Sequence, residues 1–322
     1  MFKYFSLVHY RLLTRLISPV IWLWDAHRAW KQPIYRPFRH ERWSVNLPPT
    51  AAKARIQQFI WIHAVSVGET QAAAPLLREI LACYPMHSVL LTHMTPTGRD
   101  TGAALFAKEI AAGRVQQCYL PYDIAGLPER FLEHFQPVLG MFLETEIWPN
   151  WIQACMRAAI PLGLANGRLS EKSLAKAKRL PALASASYDG FAWVAAQSAD
   201  DARRYQQLRS KSIAVTGNLK FDVQANAEQL VSGRAFKTQQ GRLILALAST
   251  RDGEEALLLP IAKTWQSKLA AQGQSPLILL IPRHPKRADE LLRLLGQLAL
   301  SFVQRSLEQT PSAHTQVYLC DH

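Results

Sequence analysis

The stretch Phe59-Ile60-Trp61-Ile62-His63-Ala64-Val65-Ser66-Val67-Gly68-Glu69-Thr70 decides the fold class of this chain. An apolar run breaks at Ser-Val-Gly and delivers a glutamate to the start of a helix. A run of this length bounded by glycine reads as a buried parallel strand, and ligands of such sheets bind in the crevice beyond the strands' carboxyl ends. Glu69 falls in that crevice. Exposed N–H groups and the dipole at a helix start favour an ionised carboxylate, which predicts Glu69 charged near neutral pH and available as a general base. The same position also suits an acid that only stabilises its own helix.

The strand-then-polar-cluster pattern recurs. Val138 to Leu143 runs into Glu144-Thr145-Glu146-Ile147-Trp148-Pro149-Asn150, and Ile160 to Ala165 into Asn166-Gly167-Arg168-Leu169-Ser170. Ile213 to Thr216 leads into Gly217-Asn218-Leu219-Lys220-Phe221-Asp222, Leu243 to Ala248 into Ser249-Thr250-Arg251-Asp252-Gly253-Glu254, and Leu277 to Ile281 into Pro282-Arg283-His284-Pro285. Each strand exit carries groups suited to an anionic sugar or a phosphate. Between them, short apolar runs alternate with amphipathic stretches from Arg55 to Asp222, the signature of a doubly wound α/β domain.

With Met94-Thr95-Pro96-Thr97-Gly98 and Leu120-Pro121-Tyr122-Asp123, these blocks resemble, in order and across nearly the whole chain, the 3-deoxy-D-manno-octulosonic acid (Kdo) transferases of lipopolysaccharide assembly. The resemblance implies a GT-B-type glycosyltransferase of two doubly wound α/β domains. It also implies transfer of Kdo from CMP-Kdo to the lipid A precursor (lipid IVA), with inversion and without a cofactor or metal ion. It assigns the catalytic base to Glu69 and a second active-site carboxylate to Glu144. Glu146 would share the face of Glu144 if the strand continued, so the choice between them rests on the resemblance. Lys220, Ser249 and Arg283 are candidates for holding the donor, where cations and a helix start suit a departing phosphate. Arg99 and Arg168 are candidates for acceptor phosphates.

Composition is compatible with this reading. Of 322 residues, 49% are hydrophobic and 19% charged, which supports two cores and excludes a disordered chain. The net charge of +13 favours polyanionic partners, either nucleic acid or an anionic membrane surface. The chain has no Cys/His finger spacing, basic heptad helix or aromatic RNA-binding signature, so no nucleic-acid partner is expected. Lys172, Lys176, Lys178 and Arg179 form a basic run at helical spacing, read as a solvated face or a phosphate site. Cys83, Cys118, Cys155 and Cys320 are too dispersed for a disulfide framework or a zinc site.

Residues 1–30 read as a membrane-associated helix. Met1 to Trp24 is apolar and aromatic but carries Arg11 and Arg15, and Pro19 interrupts its charge-free part, so it is a poor spanning helix. No cleavage site follows, and the basic, aromatic flank predicts an uncleaved interfacial anchor on the cytoplasmic face of the inner membrane. The acceptor-side domain is expected over 31–222, an interdomain connection over 223–240, and a donor-side domain over 241–322. That last domain is expected to be incomplete, because the chain stops at Asp321-His322 directly after an apolar run. A shortened member with little or no activity, or an inactive remnant or partner-binding module, is the alternative expectation.

Overall fold

The computed structural model describes residues 5–50, 58–223, 225 and 227–321. The first four residues of the anchor segment, the domain start at Arg55, Gln224 and Asn226 in the connection, and His322 lie outside the described residues. Two compact units are present, Met1–Gln224 and Ala225–His322.

The first unit opens with helices α1 (Leu7–Leu16) and α2 (Ser18–Lys31). It continues as β1 (Gln58–His63), α3 (Val67–Cys83), β2 (His87–His93), α4 (Pro96–Leu105), α5 (Ala107–Ala111), β3 (Val115–Tyr119), α6 (Leu127–Phe135) and β4 (Leu139–Leu143). Then come α7 (Pro149–Arg157), β5 (Leu162–Gly167), α8 (Glu171–Ala177), α9 (Pro181–Tyr188), β6 (Trp193–Ala196), α10 (Ala199–Tyr205) and β7 (Ala214–Val215). The sheet order is β3-β2-β1-β4-β5-β6-β7, all parallel. Chain order reverses between β1 and β4, and that switch point opens a crevice at their carboxyl ends.

Side chains alternate across this sheet with the period of two that strand geometry imposes. Phe59, Trp61, Leu90 and Phe142 enter one core, and Ile60, Ile62, Leu91 and Met141 the other. Covered on both faces, the strands read as unbroken apolar runs. Trp61 anchors the first core against Phe131, Phe142 and Trp151, with ring centroids 5.1–5.4 Å apart.

The anchor segment folds as two helices where one was expected. Pro19 lacks an N–H to continue the ladder, and the hydroxyl of Ser18 donates to the Arg15 carbonyl at the break, 2.8 Å away. Among the described residues no helix is long and apolar enough to cross a membrane. The two arginines that spoil a span hold α1 to the body instead: Arg11 pairs with Glu129 at 2.9 Å and Arg15 donates to the Ala125 carbonyl. Tyr10 donates to Asp123, and Asn150 to Thr14.

The second unit contains α11 (Ala227–Gln240), β8 (Ile244–Thr250), α12 (Glu254–Ala270), β9 (Leu277–Pro282), α13 (Ala288–Gln297), β10 (Phe302–Gln304) and β11 (Val317–Leu319). Most of the expected connection is therefore the helix α11. The parallel sheet runs β10-β11-β9-β8, over a core that includes Leu259, Ile278, Leu280, Leu291, Leu295, Val317 and Leu319. As an edge strand β8 is only partly covered, although its sequence is as apolar as a central strand's. The two parallel α/β units are of the kind a GT-B-type glycosyltransferase contains.

Candidate active site at the β1–β4 switch point

The chain leaves β1 through Ala64-Val65-Ser66 and enters α3 at Val67, with Ser66 in the extended conformation of a helix cap. This turn holds Glu69. The Val65 N–H donates to Glu69 Oε2 at 2.6 Å, and the Ser66 hydroxyl reaches Oε1 at 3.4 Å. The turn is itself held from β2: the N–H groups of Met94 and Thr95, and the Thr95 hydroxyl, all donate to the Val65 carbonyl at 3.2 Å. Gly98 permits that approach, because a Cβ there would lie 3.1 Å from the Val65 oxygen and 2.9 Å from the Thr95 hydroxyl.

Two histidines support the strand ends without offering chemistry. His63 and His93 are fully buried, and burial pushes both down to about 3, so each is neutral. His93 Nδ1 lies 3.0 Å from the Ala64 carbonyl, which only accepts, so that nitrogen carries the proton and Nε2 accepts from Gln117.

At the neighbouring exit β4 ends at Leu143, and Glu144 turns the chain with φ 55°, a left-handed conformation unusual outside glycine. Its N–H donates to the Ala165 carbonyl, and its own carbonyl accepts from Arg168, each at 3.1 Å. The strand does not continue to Glu146, so the expected shared face of Glu144 and Glu146 does not arise. The turn nonetheless brings both carboxylates towards Glu69. Trp148, the cap of α7, donates its indole N–H to Glu146 at 2.7 Å.

Glu69 departs from its expected ionisation. Burial, then the charges of Glu146 and Glu144, raise its carboxyl to about 7 against the Val65 and Ser66 hydrogen bonds. Desolvation thus outweighs the helix start, which offers Glu69 only local N–H contact. Burial also raises Glu146, assisted by Glu144. We expect Glu146→Gln, which removes a like charge and keeps shape, to lower the midpoint at which the Glu69 carboxyl carbon titrates by NMR. An unchanged midpoint would mean that Glu146 does not act on Glu69.

The other candidates are distributed as follows. Lys220, in the short 3-10 turn Leu219–Asp222, pairs with Glu144 at 3.2 Å, within ion-pair range but off hydrogen-bond geometry. The turn is anchored by Asn166, whose side chain accepts from the Leu219 N–H. Arg168 is exposed beside Glu144. Arg99 is committed elsewhere: it pairs with the buried Glu41 at 2.6 Å and its guanidinium lies 3.9 Å from the centre of the Phe38 ring. In the second unit Ser249, at φ 58°, and Arg283 lie at the adjacent exits of β8 and β9, where the Arg283 N–H donates to the Thr250 carbonyl at 2.8 Å. Both side chains are exposed. Among the described residues no His, Cys, Asp and Glu group is placed to hold a metal ion.

Sequence reasoning missed Thr95, Gly98 and Trp148 as supports. The Thr-Pro-Thr-Gly block was visible, but nothing local shows that it braces the β1 turn.

Comparisons with known proteins agree with this arrangement. A family model described as 3-deoxy-D-manno-octulosonic-acid transferase (kdotransferase) matches residues 39–223. The 3-deoxy-D-manno-octulosonic acid transferase of Bordetella pertussis is 39% identical over 320 residues, 97% of this chain and 72% of that protein. The Haemophilus influenzae protein of the same name is 33% identical over 97% of this chain and 71% of its own length. Among solved structures, UDP-GlcNAc 2-epimerase from Neisseria meningitidis bound to UDP-GlcNAc superposes with a TM-score of 0.51 over 82% of this chain and 72% of that one. At 14% identity that likeness shows the fold alone. The motif order, the switch-point carboxylates and these matches agree, and the chain belongs to the 3-deoxy-D-manno-octulosonic acid transferase family.

Proposed function

We propose that this protein transfers Kdo from CMP-Kdo to a hydroxyl of the lipid A precursor, with Glu69 as general base. The observation that carries this is the partly buried Glu69 carboxylate, held by the Val65 N–H at the β1–β4 switch point of a parallel sheet, where burial raises it to about 7. A base of that strength is largely ionised just above neutral pH, yet basic enough to take a hydroxyl proton in the transition state. The acceptor oxygen attacks the anomeric carbon of Kdo as the bond to the CMP phosphate oxygen breaks, with inversion, and Glu69 keeps the proton. Glu144, held by Lys220 and by its backbone, positions the acceptor or tunes Glu69. Ser249 and Arg283 are assigned to the donor phosphate and Arg168 to an acceptor phosphate. Arg99 acts through the Glu41 pair as a structural tie. Incubation with CMP-Kdo carrying labelled sugar and lipid IVA tests the reading. Label should move into the glycolipid fraction, and its absence there at pH 7–8 would refute transferase activity for this chain.

We further propose that α1 and α2 rest on an anionic membrane surface. Leu12, Leu16, Val20, Trp22, Leu23 and Trp24 are each at least half exposed on helices whose opposite face is tied to the body. Exposed Arg15, Lys31 and Arg36 supply positive charge, and tryptophan favours a water–lipid boundary. Binding to vesicles containing anionic lipid should fall as salt rises, because the electrostatic share is screened. Leu16→Glu with Trp24→Glu should weaken it by about tenfold or more, since two apolar anchors are lost. Vesicle binding unaffected by the double change would refute this orientation.

A further inference from the structure

A groove of about 290 Å³ runs between the β4 exit loop and helices α8 and α9. Its walls are Ile147, Pro149, Leu180, Leu183, Ala184 and Tyr188, with Lys176 at one side. The hydroxyl of Ser187, also in the lining, donates to the Leu183 carbonyl at 2.7 Å, so that wall offers no free polar group there. The groove is open along one side, so it covers one face of part of an alkyl chain rather than enclosing it.

Three further observations bear on its occupant. Ile147 and Pro149, which line the groove, flank Trp148, whose indole holds Glu146, so the groove and the Glu146 carboxylate share the β4 exit loop. Helix α9, which supplies most of the opposite wall, also packs against α1, the helix with the exposed apolar face. The positive charge is at Lys176, which lines the groove; Lys172, one turn before it on α8, and Arg179, just past the helix end, are also exposed, and none of the three makes a side-chain ion pair among the described residues. An apolar slot with a positive rim complements an acyl chain bearing a nearby phosphate, and a neutral alkyl ligand would leave that charge unused.

We propose that this groove receives one acyl chain of the phosphorylated glycolipid acceptor, while Lys172, Lys176 and Arg179 take its phosphate. The proposal rests on the acceptor reading above and adds the part of the acceptor that does not react. A chain drawn from a bilayer into an apolar groove keeps its hydrophobic stabilisation, so the head can be lifted towards Glu69 at little cost. Binding energy far from the reacting hydroxyl then orients it.

The test is binding of lipid IVA, and of its deacylated form with both phosphates retained, below the concentration at which micelles form. The acylated form should bind about ten- to a hundredfold more tightly. Leu180→Asp, which places a charge in the slot, and Ser173→Trp, which blocks its mouth from the exposed face of α8, should each remove that difference. Lys172→Glu with Lys176→Glu should weaken both forms. Ser173→Trp leaves the core untouched and serves as the folding control for Leu180→Asp. Equal binding of the two forms, or an acyl preference that survives Ser173→Trp, overturns the groove and leaves the acceptor reading standing. If neither form binds the unaltered protein, both the groove and the acceptor reading fall. Equal affinity for a neutral alkyl glycoside would also overturn the proposal, since the cationic rim would then select nothing.

Discussion

Glu69→Gln is expected to lower Kdo transfer by ~10²–10⁴-fold, the usual scale for a general base, with acceptor affinity nearly unchanged. Glutamine keeps an oxygen that can accept from the Val65 N–H, now 2.6 Å from the carboxylate, so the turn should persist while the base is lost. For the unaltered protein, kcat/KM should rise with pH through about 7, where the Glu69 carboxyl ionises. Stability should run the other way. A carboxyl raised above its unfolded value binds its proton more tightly in the folded protein. The fold therefore loses stability as pH rises from the ordinary carboxylate range towards 7. Glu69→Gln should accordingly be more stable than the parent at pH 8, with the gain gone below pH ~4.5. A variant that retains near-full transfer would exclude Glu69 as the base. A variant equally unstable at both pH values would exclude the ionisation assigned to it.

Asp25→Ala is expected to destabilise the first unit by about 3 kcal/mol, the low end for removing one partner of a buried pair. Asp25 is 1% exposed and accepts from Tyr122 at 2.6 Å, Arg39 at 2.5 Å, Arg28 at 3.2 Å and the Trp43 indole at 3.3 Å. Burial alone would raise its carboxyl. The bonds from Tyr122, Arg39 and Trp43 outweigh it, so the ionised form is the one that folds. Asp25 is thus the clip that closes α2 and the following segment onto the loop after β3. Arg28 and Arg39 are partly exposed and can recover water once the clip is gone, which places the cost at the low end. Urea unfolding followed by tryptophan fluorescence reads the effect. Of the nine tryptophans only Trp265 lies in the second unit. An unchanged midpoint would show that the clip contributes nothing. Asp25→Asn, which keeps two of the acceptor contacts, should fall between.

The parallel α/β class, the order of the blocks and the position of Glu69 were legible in the sequence, because they depend on local periodicity. A strand buried on both faces must be apolar throughout, and the residue after it must leave the sheet. This is visible in 59–70 without any knowledge of neighbours.

What needed the tertiary structure was whatever depends on which strand lies beside which. The β1–β4 adjacency brings Glu146 and Glu144 towards Glu69 and, together with burial, raises its carboxyl to about 7 where full ionisation was expected, since desolvation and like charge act through space. The left-handed turn at Glu144 cancelled an expectation that assumed strand geometry, and Arg99 was found paired with the buried Glu41. Arg11 and Arg15 appeared in the sequence as defects in a membrane helix and in the fold as the bonds that hold it. The sequence determined which chemistry arrives at the ends of the strands. Only packing decided how strongly those groups hold their protons and which of them remain free to meet a substrate, because both depend on partners more than fifty residues away.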